Sequence, residues 1–527
     1  MSSKPVTSPA HLRSVGELVT ASARAFGTRT AVVAGDVRLD YATFADRVSR
    51  LATALLAAGC SRGSRVAVLA DNSLPVLELH FAVPMIGATI VPLNTRFSTA
   101  ELDGCLADSG ARLVLVGARL AGTLPATSAE VIVVDEPAGD HQSRYEAMIA
   151  GSAPLERAEP DPAEVVGLFY TSGSTGRPKG VQLTHDSVLA GAVSCALAVG
   201  LDDRSTWLHA SPMFHLADAW AIWAATLLGA CHVIERFEAD RTLRTLRDER
   251  VTHTLLVPTA LEMLSRAAGD DGSAFGGLTA LLYGGAPITE PTYRRLVELG
   301  APMFHTYGST ETSGCMTTLR PEEHIRPDGT LRLGTVGREV PLTEIVIVDD
   351  RGEEVPPGEV GEITVRSPNV MLGYHGAPDL TAEALVGGRY HTGDLGSRDA
   401  EGYIELRGRK KEMLITGGEN VYPGEVEQAL RRHPSVADAG VGALPDLRWG
   451  QRIAALVVVR DGASLEPAEC RAFLAGVLAG YKIPKSLFVV GELPRNGSGK
   501  IDRSRLQTML AELDAERDDP LIEQGAL

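Results

Sequence analysis

The sequence predicts an α/β protein in two parts: a large, multi-lobed N-terminal domain of βαβ sheets with a β-rich lobe, then a small α+β C-terminal domain. Three observations carry this. Helical apolar spacing alternates with short β-branched runs to beyond residue 300, the pattern of βαβ units around a parallel sheet. After roughly residue 340 the chain changes to short strands and Gly/Pro turns, as in EIVIVDD, PPGEVGEITV and EGYIELRG. The charged, unperiodic stretch RGRKKE, Arg407 to Glu412, then marks a boundary, and helix and strand signals resume to residue 510.

Element by element, Phe44, Val48, Leu51 and Leu55 after Tyr41 recur at helical spacing, and the pattern stops at Gly59. Arg65 to Leu69 reads as a buried strand. Helical patterns at 74–86 and 99–108 alternate with the runs Ala88 to Val91 and Leu113 to Val116. Turn chemistry from Ala153 to Glu164 precedes the apolar run Val165 to Tyr170. A helix over Asp240 to Glu249, a strand over Thr254 to Val257 and a helix over Leu261 to Ala267 continue the series, and the acidic tail from Glu512 is expected to fray.

Composition bounds the function. With 44% hydrophobic and 22% charged residues the 527-residue chain is ordinary globular material, long enough for roughly three units of domain size. A net charge of −17 argues against nucleic acid, which needs concentrated positive charge. The six cysteines are scattered with no CxxC pair, so free thiols are expected. The first residues lack the apolar core of a signal peptide, and the longest apolar stretch, near Leu79 to Leu93, is interrupted and too short to span a membrane. A soluble cytoplasmic protein is the expectation.

The stretch YTSGSTGRPKGV, Tyr170 to Val181, has the make-up of a polyphosphate-cradling loop. Gly173 and Gly176 let the backbone turn so that N–H groups converge on anionic oxygens. Thr171, Ser172, Ser174 and Thr175 add neutral donors, and Lys179 adds a mobile positive charge. The lysine spacing differs from the Walker pattern, so another nucleotide chemistry, with ATP as ligand, is implied.

Four further polar, glycine-bearing islands follow in order: YGSTET at 307–312, YHTGDLG at 390–396, GRKKEMLITGGENVYPGEVE at 408–427 and PRNGSGKIDR at 494–503. With the loop at 171–180 and VPLNTRFSTAEL from Val91, they resemble the adenylate-forming superfamily of acyl-CoA synthetases, luciferases and peptide-synthetase adenylation domains, over nearly the whole chain. The resemblance implies two half-reactions. A carboxylate attacks the α-phosphate of ATP with Mg²⁺ present, and a thiol then displaces AMP from the acyl-adenylate.

By the same resemblance, Lys500 bridges the incoming carboxylate and the α-phosphate, and Thr310 reaches that phosphate. Glu311 binds Mg²⁺ with Thr171 as helper, both being hard oxygen donors. Asp394 accepts the ribose hydroxyls, with Arg409 as a second ribose or phosphate contact. Tyr307 stacks on adenine opposite Gly285, Ala286 and Pro287. A domain of residues 1–408 is joined through a hinge at 409–411, with Lys411 at the pivot, to a mobile cap of residues 412–527. Gly417 and Gly418 line the thiol tunnel, and the form of that segment favours coenzyme A.

For the acid, SPMFHLADAWAIW (Ser211 to Trp223) is similar to the family segment whose aromatic or histidine residue closes the acyl pocket, so the resemblance implies His215 at its mouth, with Trp220, Gly308 and Thr312 in its wall. Histidine where amino-acid-activating relatives commonly carry aspartate favours an apolar fatty or aromatic acid. Asp218 is read either as a contact to a polar substituent or as a helix-cap or solvent-facing residue, and the two tryptophans as core by default. The alternatives are transfer to an acyl carrier protein's pantetheine or to an amine or other acceptor, adenylation of a non-carboxylate oxyanion, and a non-catalytic nucleotide-binding regulator.

Overall fold

The computed structural model describes residues 14–134, 143–155, 161, 163–171, 178–496 and 499–516. The chain divides into two units, Met1–Ile345 with Thr364–His391, and Val346–Ile363 with Thr392–Leu527.

In the first unit the apolar periodicity forms the expected elements. The helix Tyr41–Ala57 is capped by Asp40, whose side chain accepts the Thr43 N–H, and it buries Phe44, Val48, Leu51 and Leu55 on one stripe. Strands Arg65–Leu69, Thr89–Pro92 and Leu113–Val116 pair in parallel, and Val165–Thr171 continues the same direction beside Thr89–Pro92. Among the described residues this sheet has seven strands, and a second has nine. Six neighbours of the larger sheet, from Met303–Ser309 through Ala280–Gly284, His253–Leu255, Thr206–His209 and Cys231–Ile234 to Thr30–Ala34, run parallel.

Neither sheet is wholly parallel, as the alternation of patterns had suggested. Lys179–Thr184 returns antiparallel beside Val165–Thr171, because the connection 172–178 is too short for the crossover that a parallel pair requires. Gly314–Leu319 likewise returns on Met303–Ser309. Boundaries also move: the strand expected from Thr254 is His253–Leu255, since Pro258 opens the helix Pro258–Ala268 and draws Val257 into its N-cap.

One apolar core includes Val66, Ile90 and Phe169 from the smaller sheet, Val32, Trp207 and Leu282 from the larger, and the helix Leu216–Leu228. That helix buries nearly every side chain from Leu216 to Thr226, as one apolar on all sides must.

The second unit begins with the short strands expected after residue 340. Its later part pairs Val436–Asp446 antiparallel with Gly450–Val459, and Ser486–Val489 joins in parallel. The helix Arg503–Ala515 buries Leu506 and Leu510, so the chain stays helical past Glu512 and does not fray there. Residues 517–527 lie outside the described set. Among the described residues no helix is long and apolar enough to cross a membrane.

Candidate active site

In the first unit the phosphate-loop hairpin positions three groups. Thr171 and Lys179 are Cα partners where the two strands leave the loop. Ser172, Gly173, Ser174 and Thr175 lie outside the described residues. The two-residue strand Gly373–Tyr374 pairs with the returning strand, Tyr374 opposite Val181. Tyr374 therefore sits between motifs: the Lys179 ammonium lies 5.4 Å from its ring centroid, and its hydroxyl donates to Glu311 Oε1 at 2.9 Å. The Glu311 carbonyl also accepts the Met371 N–H at 2.8 Å. Tyr374 was missed in the sequence because its partners are more than sixty residues upstream.

The motif at 307–312 turns tightly. Thr310–Thr312 is a single 3₁₀ turn between antiparallel strands, and Ser313 takes a left-handed φ of 50°. Gly308 faces Cys315, and a Cβ added there would lie 2.1 Å from the Gly314 carbonyl oxygen, so only glycine permits the approach. Thr312 is buried and its hydroxyl is held by Ser309 and Gly314, which makes it a brace for the turn. Tyr307, part-buried, follows Thr306, the partner of Gly284. It thus neighbours exposed Gly285, Ala286 and Pro287 at the carboxyl ends of adjacent parallel strands, where α/β sheets bind ligands.

Glu311 is a part-buried carboxylate, and the ion pairs of the described residues do not include it. One carboxylate oriented by a tyrosine hydroxyl suits Mg²⁺, which takes few protein ligands when substrate phosphates supply the rest.

His215 caps the helix Leu216–Leu228 and is part-buried, its ring 4.7 Å from that of Phe214. Trp220 lies under the Gly308–Gly314 turn, with its Cβ 3.6 Å from where a Gly314 Cβ would stand, and it packs edge-on against Trp207 at 4.9 Å. Asp218 takes neither role expected of it. Its carboxylate is fully buried, accepting the Trp207 Nε1–H at 3.1 Å and meeting His209 Nδ1 at 2.6 Å. The row continues from His209 Nε2 to His232 Nδ1 at 3.0 Å and from His232 Nε2 to Thr226 at 2.9 Å. A carboxylate only accepts, so His209 Nδ1 carries the proton.

In the second unit Asp394 and Arg409 are register partners on antiparallel strands and form an ion pair at 2.8 Å. Arg409 also donates to the Thr392 carbonyl at 3.0 Å, so it orients the carboxylate. Lys411 is exposed within the turn Lys410–Glu412, between Lys410, paired to Asp350 at 2.9 Å, and Glu412, paired to Arg503 at 2.9 Å. Gly417 and Gly418, both at positive φ, close the hairpin Leu414–Thr416 to Glu419–Val421. The Gly417 N–H donates to the Trp449 carbonyl at 2.9 Å, and a Cβ on Gly417 would lie 2.7 Å from the indole. Exposed Lys500 sits on a turn in which its N–H donates to Asn496 Oδ1 at 3.1 Å and Gly499 takes a φ of 80°.

Comparison with known proteins agrees with these motifs. Residues 19–375 match the AMP-binding enzyme family and 425–500 the AMP-binding enzyme C-terminal domain. A feruloyl-CoA synthase of an Amycolatopsis species is 38% identical over 90% of this chain and 94% of its own. A fatty acid–[acyl-carrier-protein] ligase, ScoC of Streptomyces coeruleorubidus, is 35% identical over 91% of this chain and 93% of its own. Among solved structures, an o-succinylbenzoate coenzyme A synthetase of Bacillus subtilis, in complex with ATP and magnesium ion, superposes with a TM-score of 0.83 at 31% identity, covering 93% of this chain and 99% of that one. The chain belongs to the AMP-binding enzyme family.

Proposed function

We propose that the chain is an AMP-forming acid–thiol ligase that activates an apolar fatty or aromatic carboxylic acid with ATP and Mg²⁺ and passes the acyl group to coenzyme A. The observation that supports this is the row Lys179–Tyr374–Glu311, a cation at the start of strand Lys179–Thr184 and a carboxylate oriented by the same tyrosine.

In the first half-reaction a carboxylate oxygen attacks the α-phosphorus and the bond to pyrophosphate breaks. Lys179 and Lys500 offset the charge of the meeting anions, and Thr310 donates to the α-phosphate. Such preorganised donors act where charge develops. Mg²⁺, held by Glu311 with Thr171, supplies further positive charge to the phosphates. Tyr307 with Gly285, Ala286 and Pro287 takes the adenine, the loop residues Ser172, Gly173, Ser174 and Thr175 the phosphates, and the Arg409-oriented Asp394 the ribose. In the second half-reaction the thiol sulfur attacks the acyl carbon and AMP leaves. The residues 412–527, turning at Lys411 within a hinge at 409–411, exchange Lys500 for the Gly417–Gly418 segment.

The acid lies against His215, Trp220 and Gly308, with Thr312 bracing the turn. The relatives named for feruloyl and succinylbenzoyl groups favour an aromatic acid. The relative named for a carrier protein supports a second reading, transfer to protein-bound pantetheine. A cytoplasmic setting suits six free cysteines.

The test is hydroxylamine-trapped adenylate formation with ferulate, 2-succinylbenzoate, dodecanoate and phenylalanine, repeated with coenzyme A and with a phosphopantetheinylated carrier protein. Thioester with coenzyme A on an aromatic or fatty acid is the expected result. Adenylate that loads only the carrier favours the second reading, and no adenylate with any acid overturns both.

A further inference from the structure

The loop that carries His215 runs from the end of strand Thr206–His209 to the start of helix Leu216–Leu228. Its two ends are fastened to each other by the bond from His209 to Asp218. Between them the backbone belongs to no sheet or helix, so its polar groups need other partners. One side chain supplies three of them. The Asn72 amide nitrogen donates to the carbonyls of His209 at 2.9 Å and Ser211 at 2.7 Å, with a longer contact to the Glu235 carbonyl at 3.3 Å. Its Oδ1 accepts the Met213 N–H at 2.8 Å. The Ser211 hydroxyl adds a bond to the Leu255 carbonyl at 2.6 Å.

Asn72 follows strand Arg65–Leu69 of the seven-stranded sheet, whereas its partners follow a strand of the nine-stranded one. A single carboxamide therefore spans the two sheets and fixes alternate residues of the loop, ending two residues before His215. The chemistry is specific to asparagine. Aspartate keeps the acceptor, loses both donors and sets a negative charge against two carbonyls, and an aliphatic side chain leaves the Ser211 carbonyl and the Met213 N–H without this partner and the His209 carbonyl with the Glu235 N–H at 3.3 Å.

We propose that Asn72 is a positioning residue for acid activation: it holds 209–213 so that His215 is presented to the acid in one place, with Asp218 closing the same loop. This rests on His215 lying against the acid. Misplacing a binding group by about an ångström is enough to cost a hundredfold in rate.

The experiment is a double-mutant cycle of Asn72→Ala and His215→Ala, read by ATP–pyrophosphate exchange with the acid and ATP varied separately. The acid is the panel member of highest turnover, beginning with ferulate. Asn72→Ala is expected to lower kcat/KM for the acid by about ten- to a hundredfold while KM for ATP stays within about twofold. The double variant should be no more than about twofold worse than His215→Ala alone, because Asn72 acts through His215.

Losses that multiply, or an equal rise in KM for ATP, overturn the positioning role and leave the reading of His215 intact. An unaffected His215→Ala variant overturns both. Should Asn72→Ala not melt cooperatively, Asn72→Ser, which keeps one donor and acceptor, carries the same cycle with a smaller expected loss.

Discussion

The hydroxyl of Tyr374 holds Glu311 at 2.9 Å, with the Lys179 ammonium over the face of the same ring. The tyrosine thus fixes the direction of a carboxylate assigned to Mg²⁺. Groups that orient a metal ligand typically contribute ten- to a hundredfold in metal affinity. Tyr374→Phe keeps the ring under Lys179 and removes only the hydroxyl. The Mg²⁺ concentration giving half-maximal adenylation should rise about tenfold, with KM for the acid unchanged. An unchanged Mg²⁺ titration would show that Glu311 is oriented by other means.

Lys500→Ala separates the half-reactions. Loss of a charge aimed at the transition state should slow adenylation by about a hundredfold or more, while thioester formation from a supplied acyl-adenylate stays within about twofold. Stopped-flow measurement of each half decides it, and equal losses in both would remove Lys500 from its assigned place.

Gly417→Ala tests the other half. At a φ of 60° with the Trp449 ring 2.7 Å from the new Cβ, the hairpin must shift. Thioester formation should fall about tenfold or more with adenylation spared, since closely placed backbone is sensitive to such shifts. Adenylation falling in parallel would assign the glycine to folding alone.

Stability should fall on the acid side of neutrality. Burial lowers the pKa of His185, His305 and His324 to about 4, and of His80, also beside His209, to about 3, from an ordinary 6.5. Below pH 6.5 the unfolded chain binds protons that the folded chain refuses. The contribution is therefore complete above pH 6.5 and lost as pH falls toward 4, by about 1.4 kcal/mol per pH unit for each histidine. Thermal melting at pH 7.5, 6.5 and 5.5 should show little change over the first interval and a clear fall over the second; equal melting at all three would contradict the burial argument.

Much of the fold was legible because burial writes itself into periodicity. The stripe Phe44, Val48, Leu51, Leu55 and the run Leu113–Val116 needed only local sequence. Motif order likewise revealed the family, because glycines at 308 and 417 stand where backbone passes close to other atoms. What escaped notice depends on distant partners. Asn72 looks like any loop asparagine until residues 209, 211 and 213 are beside it, and Tyr374 gains meaning only from Val181 and Glu311. Asp218 misled for a related reason. Its partners Trp207 and His209 are near in sequence but reached across a loop that no period describes.

The contact of Gly308 with the Gly314 carbonyl also bears on redesign. A wall built of two backbones has no side chain to enlarge or trim, so combinatorial libraries that vary position 308 will return chiefly misfolded variants. If Gly308 and Trp220 border the acid as proposed, new acid preferences have to be sought on the helix that presents Trp220, at the cost of refilling the space its buried ring occupies beneath the Gly308–Gly314 turn.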